Sequence, residues 1–281
     1  MYALRTIPLR NVRPKKALGQ HFLTDPLIAR RIAETIPESF RSLPVLEIGP
    51  GMGILTRELM DICPDLYLLE IDGESIDYLS AAFPSLFAEQ RVVKGDVLRC
   101  TDEAFIPGKP DTAFVMTGNY PYNISGRLFF RIFELHDRIP CCTGMLQKEV
   151  AERLTAGPGS RTYGILSVLL HTWYDAEYLF TVDKSDFNPP PKVHGGVLRL
   201  TRNSRTALPC DEKLFVLTVK TAFNQRRKTL RNALRRLFPE DFDFSQVDLF
   251  TKRAEQLDVP DFIQLTRLVE EHGSEKPLIS T

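Results

Sequence analysis

The chain has 281 residues, 43% of them hydrophobic and 26% charged, enough to bury a full core and long enough for one large domain beside a smaller one. Its 36 basic and 36 acidic residues cancel, so no global charge points to nucleic acid, and any such reading rests on where the charges sit. The five cysteines (Cys63, Cys100, Cys141, Cys142 and Cys210) show no C-x-x-C spacing, and no apolar run approaches the roughly 20 residues of a membrane span; this excludes a disulfide scaffold, a zinc site and a membrane helix, and suits a reducing cytoplasm.

Met1–Lys16 carries Arg5, Arg10, Arg13, Lys15 and Lys16 with no acid and no apolar stretch behind it, so it reads as a basic arm rather than a targeting peptide. Thr24 or Asp25 before Pro26 starts a helix, supported by the stripe Leu27, Ile28, Ile32 and Ile36. Val45–Ile48 is a short apolar strand running into Gly49–Gly53, and Ile54–Met60 resumes helical spacing. Leu66–Ile71 is a second strand, Glu74–Phe83 a helix ended by Pro84, and Arg91–Lys94 and Thr112–Thr117 the third and fourth strands. Ser125–Leu135 is helical, Gly144–Leu146 belongs to a fifth strand, and a helix runs from about Lys148 to Leu154. Such alternation predicts an α/β fold with a mostly parallel sheet and crossover helices.

After a helix over Gly164–Trp173 come two strands, Ala176–Val182 and Gly195–Leu200, which suggest an antiparallel pair at the sheet edge. Beyond about residue 205 only helical patterns remain, at Leu214–Phe223, Arg226–Leu237 and Phe262–Glu271. The expected organisation is a catalytic α/β domain over 1–204, including the basic arm, and a small all-α domain over 205–281.

The stretch Glu47-Ile48-Gly49-Pro50-Gly51-Met52-Gly53 follows a strand and opens a helix. Glycines there admit otherwise forbidden dihedrals and let backbone amides approach a ligand. A dinucleotide fingerprint G-x-G-x-x-G requires glycine at position 54, where Ile54 stands. A sharp turn in a nucleotide-free α/β protein shares the pattern, so the downstream acids decide. Glu70 ends the second strand, where a carboxylate accepts both ribose hydroxyls of a nucleoside. Asp96 follows the third strand, where it accepts from an exocyclic adenine amine. Each acid alone is ordinary in a loop or cap; both, with their neighbours Ile71 and Val97, at the carboxyl ends of successive strands, select a nucleoside site.

Thr117-Gly118-Asn119-Tyr120-Pro121-Tyr122-Asn123-Ile124-Ser125 follows the fourth strand. An exocyclic amine is a weak nucleophile because its lone pair is delocalised into the ring. The side-chain carbonyl of Asn119 and a neighbouring backbone carbonyl suit its two hydrogens, drawing the nitrogen toward tetrahedral geometry by positioning and electrostatics. Tyr122 is placed to stack on a base that has left its neighbours. An Asx-turn with a buried tyrosine is the ordinary alternative.

Asn119-Tyr120-Pro121-Tyr122 resembles the N-L/I/P-P-Y motif of amine methyltransferases, and the longer loop resembles the N-L-P-Y-N-I-S of the small-subunit ribosomal RNA adenine N6-dimethyltransferases, with Tyr120 the one departure. Together with Glu47, Gly49, Gly51 and Gly53, the glycine turn resembles their E-x-G-x-G-x-G loop. Phe187-Asn188-Pro189-Pro190-Pro191-Lys192-Val193 is similar to their F-x-P-P-P-K-V segment, and Leu18-Gly19-Gln20-His21-Phe22-Leu23 to their G-Q-N/H-F-L segment. The resemblance implies S-adenosylmethionine as cofactor, with His21 and Leu23 against its methionine part. It implies that the residue after Asn119 offers its backbone carbonyl and Pro121 fixes the turn, that Tyr120 alters at most the pocket rim, and that Phe187 closes the face of the target adenine opposite Tyr122.

From Lys220 to Arg236 stand Lys220, Arg226, Arg227, Lys228, Arg231, Arg235 and Arg236 without an acid. On a helix Arg227, Arg231 and Arg235 share a face, a phosphate footprint on an otherwise neutral chain. Phe223–Asn232 also resembles the family's F-x-x-R-R-K-x-L-R-N signature. The RNA contacts expected are Lys15, Lys16, Arg226, Arg227, Lys228 and Arg231. The resemblance, spanning nearly the whole chain, implies dimethylation of N6 on two adjacent adenines near the 3′ end of small-subunit rRNA, a part in subunit assembly, and a monomer. Two alternatives stay open: a large-subunit methyltransferase of the macrolide-resistance type, and a non-catalytic RNA-binding assembly or transcription factor on the same fold.

Overall fold

The computed structural model describes residues 12–273; Arg5 and Arg10 of the basic arm and the tail after Gly273 lie outside the described residues. In chain order the elements are β1 (Phe22–Leu23), α1 (Pro26–Ala33), β2 (Val45–Ile48), α2 (Ile54–Ile62), β3 (Leu66–Glu70), α3 (Gly73–Ala82), α4 (Pro84–Ala88), β4 (Val92–Lys94), β5 (Val115–Thr117), α5 (Ser125–Glu134), β6 (Cys141–Gln147), α6 (Lys148–Leu154), α7 (Ile165–Trp173), β7 (Tyr174–Val182), β8 (Phe187–Asn188), β9 (Gly195–Arg202), α8 (Glu212–Asn224), α9 (Leu230–Ala233) and α10 (Val259–His272).

Local chemistry explains most of these boundaries. Asp25 caps α1 by accepting from the Leu27 amide at 2.8 Å, with Pro26 in the first turn. Pro84 does more than end α3: it occupies the first turn of α4, where its missing N–H costs nothing. α5 buries Leu128, Phe129, Ile132 and Phe133 and exposes the opposite face.

The seven-stranded sheet has the order β4-β3-β2-β5-β6-β9-β7. β4, β3, β2, β5 and β6 pair in parallel, and β9 runs antiparallel to β6 from Cys141↔Thr201 to Gln147↔Gly195. β9 therefore lies between β6 and the edge strand β7 rather than only against β7. Fully buried strands such as β2 and β3 are what a sheet covered by helices on both faces requires. The strand order reverses at β2, so the crevice beyond the carboxyl ends of β2 and β5 is where such a sheet takes its ligand. A second, two-stranded sheet pairs β1 with β8, with Leu23 opposite Phe187.

The chain divides into two compact units, 1–152 with 175–202, and 153–174 with 203–281. The second unit thus takes α7 as well as the residues beyond 202, a division that differs from a single cut at 204/205. The cause is apolar: α7 buries Val168, Leu169, Leu170 and Trp173 and packs against α8 and α10.

Within the second unit the helix expected over Arg226–Leu237 is not continuous. α8 ends at Asn224, Thr229 is extended (φ −66°, ψ 156°), α9 is a single turn, and Arg235–Leu237 is a short 3-10 turn. Tertiary bonds break the helix: the Leu230 amide donates to Lys252 O at 2.8 Å, and Arg226 is held by Glu255 at 2.7 Å and by Arg161 O at 2.5 Å. Arg227, Arg231 and Arg235 therefore do not form one helical stripe. Phe238, Phe242, Phe244 and Phe250 pack ring to ring, with centroids 4.4 Å apart for the first two, into a small core of their own.

Candidate active site

β2 delivers the chain into a turn where Gly49, Gly51 and Gly53 all have positive φ (66°, 57° and 73°). A Cβ on Gly51 would come within 2.7 Å of the Phe22 ring, and one on Gly53 would run into Phe83, so backbone conformation and close approach both call for glycine. Just before the turn, Glu47 is buried and its Oε2 accepts from Thr56 Oγ1 at 2.6 Å. Burial pushes its carboxyl up to about 8; the Thr56 hydrogen bond opposes the shift and nearby Glu70 adds to it.

Glu70, at the end of β3, is fixed by backbone donors. Its Oε1 accepts from the amides of Ile71 and Asp72, both at 2.8 Å, and its Oε2 from that of Gly51 at 3.1 Å. Burial raises its pKa and these three amides pull against it, leaving it above the ordinary range. Asp96 follows β4, with Oδ1 accepting from the Leu98 amide at 2.9 Å. Both acids, with half-exposed Ile71, Val97, Gly49 and Gly51, line a cavity of about 230 Å³.

The loop over 119–124 closes the other side. The Tyr120 amide donates to Met145 O at 2.8 Å and the Met145 amide to Gly118 O at 2.9 Å, which pins the loop to β6. Asn119 Nδ2 donates to the main-chain carbonyl of His21 at 2.9 Å. That carbonyl rejects the flipped amide, which would set oxygen against oxygen, so Asn119 Oδ1 is left to accept. Asn119 lines the main cavity and also a neighbouring one of about 380 Å³ that runs along the glycine turn past Glu47, Leu23 and Gly53. Tyr122 lines the main cavity, its ring tilted against His21 with centroids 5.5 Å apart. Its hydroxyl is buried with no hydrogen-bond partner among the described residues, and burial raises its pKa.

Two expectations change. Tyr120 is not a rim residue: its side chain is 1% exposed, its hydroxyl donates to Thr143 O at 2.8 Å, and its ring meets Phe129 edge-on at 5.8 Å. Gly144 makes the room, since a Cβ there would come within 2.8 Å of the Tyr120 ring. Phe187 does not face Tyr122 across the cavity. Pairing of β8 with β1 turns it into the core, where it is 3% exposed beside Leu23 and Met145. His21 does reach the cavity, and its Nδ1 lies 2.8 Å from Pro189 O of the proline segment.

Of the basic residues, Lys15 pairs with Asp72 and with Glu74 (3.1 Å), and Arg226 with Glu255, so neither side chain is free. Lys16, Arg227, Lys228 and Arg231 are exposed. Sequence reasoning misses Gln20, Asp72 and Arg127. Gln20 and Arg127 line the cavity, and Asp72 is legible only as the cap of α3.

The residues fit a nucleoside better than a nucleotide with phosphates. The glycine turn carries no lysine or arginine, and the carboxylates of Glu70 and Asp96 suit hydroxyl and amine donors while repelling a polyphosphate. S-adenosylmethionine supplies there a methyl on a sulfonium centre. Glu70 would hold its ribose, Asp96 its adenine amine, and the glycine turn its methionine part.

An open, mostly parallel sheet with this glycine turn, two strand-end acids and an Asn-Tyr-Pro-Tyr loop at its switch point defines an S-adenosylmethionine-dependent methyltransferase acting on an exocyclic amine. The family model for ribosomal RNA adenine dimethylase matches residues 11–269. The chain is 55% identical to ribosomal RNA small subunit methyltransferase A of Parabacteroides distasonis, over 94% of this chain and 97% of that one. It is 54% identical to the protein of the same name from Bacteroides thetaiotaomicron, over 94% and 96%. Among solved structures, a dimethyladenosine transferase from Plasmodium falciparum superposes with TM-score 0.72 at 26% identity, covering 89% of this chain and 97% of that one. The 23S rRNA methyltransferase ErmE does so with TM-score 0.64 at 26% identity, covering 88% and 99%. The chain belongs to the ribosomal RNA adenine dimethylase family.

Proposed function

We propose that this protein dimethylates N6 of two adjacent adenosines near the 3′ end of small-subunit rRNA, acting as a monomer in the cytoplasm during subunit assembly. The observation that carries the reading is the Asn119–His21 hydrogen bond, which leaves the Asn119 carbonyl as an acceptor between the two cavities. In this reading Asn119 Oδ1 and the Tyr120 main-chain carbonyl take the two amine hydrogens, Pro121 holds the turn, and Tyr122 stacks on the extruded base. The attacking nitrogen gains positive charge as it takes the methyl, which makes it acidic enough to release its proton to water, so no strong base is required. Lys16, Arg227, Lys228 and Arg231 contact RNA phosphates.

The names of the relatives favour the small subunit over the large one. The test offers the purified protein under-methylated small subunits and, separately, large-subunit RNA, with labelled cofactor. Label in small-subunit adenosines supports the reading; label only in large-subunit RNA refutes it.

A further inference from the structure

Residues 15–23 run over the main cavity, and Leu18, Gly19, Gln20, His21 and Phe22 line it. One end of this strap is held by Asp72. Its carboxylate caps α3, accepting from the Glu74 amide at 3.3 Å and Ser75 Oγ at 3.2 Å, and it also receives the Lys15 ammonium and the Gln20 amide at 3.4 Å. The Lys15 amide donates to Gln20 Oε1 at 2.9 Å, so both strap residues are tied to each other and to one carboxylate. The strap then meets the 119–124 loop twice, where Asn123 Nδ2 donates to Ala17 O at 3.1 Å and Asn119 Nδ2 to His21 O at 2.9 Å. Gly19 (φ 64°) lets the two segments close up, because a Cβ there would come within 2.7 Å of Asn123 Oδ1.

We propose that Asp72 is a positioning residue for methyl transfer: by holding Lys15 and Gln20 it fixes the strap, and through the His21 carbonyl it sets which way the Asn119 amide faces. Asp72 also donates its own amide to Glu70, at 2.8 Å, so the same residue joins the strap to the ribose-side acid. Burial pushes the Asp72 carboxyl up, and the hydrogen bonds from Lys15, Gln20 and the Glu74 amide outweigh burial and hold it below its ordinary value. The latch is therefore charged at neutral pH. The inference rests on Asn119 as the amine acceptor.

Asp72→Asn tests it, because Asn is as good a helix cap as Asp, while the charge that holds Lys15 and the second acceptor oxygen, which takes the Gln20 side-chain amide, are lost. Lys15→Met removes the same latch from the strap side. Single-turnover rates, the KM for RNA, S-adenosylhomocysteine affinity and melting temperature are measured for both and for the double variant. Each single variant is expected to lower the rate about tenfold and weaken S-adenosylhomocysteine binding with the KM for RNA unchanged, and the double variant to be no slower than the slower single. Singles that only lower the melting temperature, a fully additive double, or a Lys15→Met effect confined to the KM for RNA would overturn it. Asn119→Ala, run alongside, separates the two ideas. If it is inactive while Asp72→Asn keeps the wild-type rate, only the strap inference fails; if it keeps the wild-type rate, the reading of Asn119 fails.

Discussion

Asn119 and His21, 98 residues apart in sequence, meet through a 2.9 Å hydrogen bond from the Asn119 side-chain amide to the His21 carbonyl. That bond turns a side chain with two nearly symmetric ends into one with a defined acceptor. Asn119→Asp places a carboxylate oxygen against the His21 carbonyl and removes the only donor. We expect single-turnover methylation to fall by about 100-fold or more, as for loss of one preorganised polar group, with RNA binding within about twofold of wild type by filter retention.

Tyr120 holds β5 and β6 together from below the cavity. Its hydroxyl lies 2.8 Å from Thr143 O and 3.3 Å from Met116 O. Tyr120→Phe is expected to lower stability by about 1–2 kcal/mol in denaturant titration, the cost of unmaking buried hydrogen bonds, with KM for cofactor and RNA unchanged. A large change in KM without loss of stability would restore Tyr120 to the pocket rim.

Glu47 makes stability pH-dependent. Its folded pKa of about 8 lies above the ordinary 4.5, so the fold favours the protonated form. Its contribution is complete below pH 4.5 and is lost as pH rises through about 8. Glu47→Gln keeps an acceptor for Thr56 and cannot ionise. It is expected to be more stable than wild type by about 1.4 kcal/mol for each pH unit climbed between 4.5 and about 8, several kcal/mol above pH 8, with the difference shrinking toward zero near pH 4.5. Thermal melts across that range check the slope.

The basic residues of the second unit separate by their partners. Arg226 is bound to Glu255 at 2.7 Å and to Arg161 O at 2.5 Å, whereas Arg227 and Arg231 are exposed. Arg227→Ala and Arg231→Ala are each expected to reduce the salt slope of RNA binding by about 0.7–0.9 and leave the melting temperature alone. Arg226→Ala is expected to lower the melting temperature. Titrations at several salt concentrations, paired with melts, distinguish the two behaviours.

Much of the fold is legible in the sequence because it is local. Apolar runs mark β2 and β3, the Asp25-Pro26 cap marks α1, and the positive-φ glycines stand where strand becomes helix. The acids Glu70 and Asp96 stand out for the same reason, Glu70 ending β3 and Asp96 lying just past β4. What escapes is tertiary. β1 and β8 are two residues long, too short for any period, and their pairing sends Phe187 into the core. The basic run at 226–237 has a helical pattern, but the Leu230–Lys252 and Arg226–Glu255 bonds override it. Asp72 reads as an ordinary cap because its partners Lys15 and Gln20 lie 57 and 52 residues away.

The most direct test mixes the purified protein with labelled S-adenosylmethionine and under-methylated small ribosomal subunits, then digests the RNA for nucleoside analysis, with Asn119→Ala in parallel. The expected result is N6,N6-dimethyladenosine from the wild-type protein and none from Asn119→Ala, with both retaining subunit binding. Tight subunit binding without methyl transfer by the wild-type protein would contradict the account and point to an assembly factor built on a methyltransferase fold.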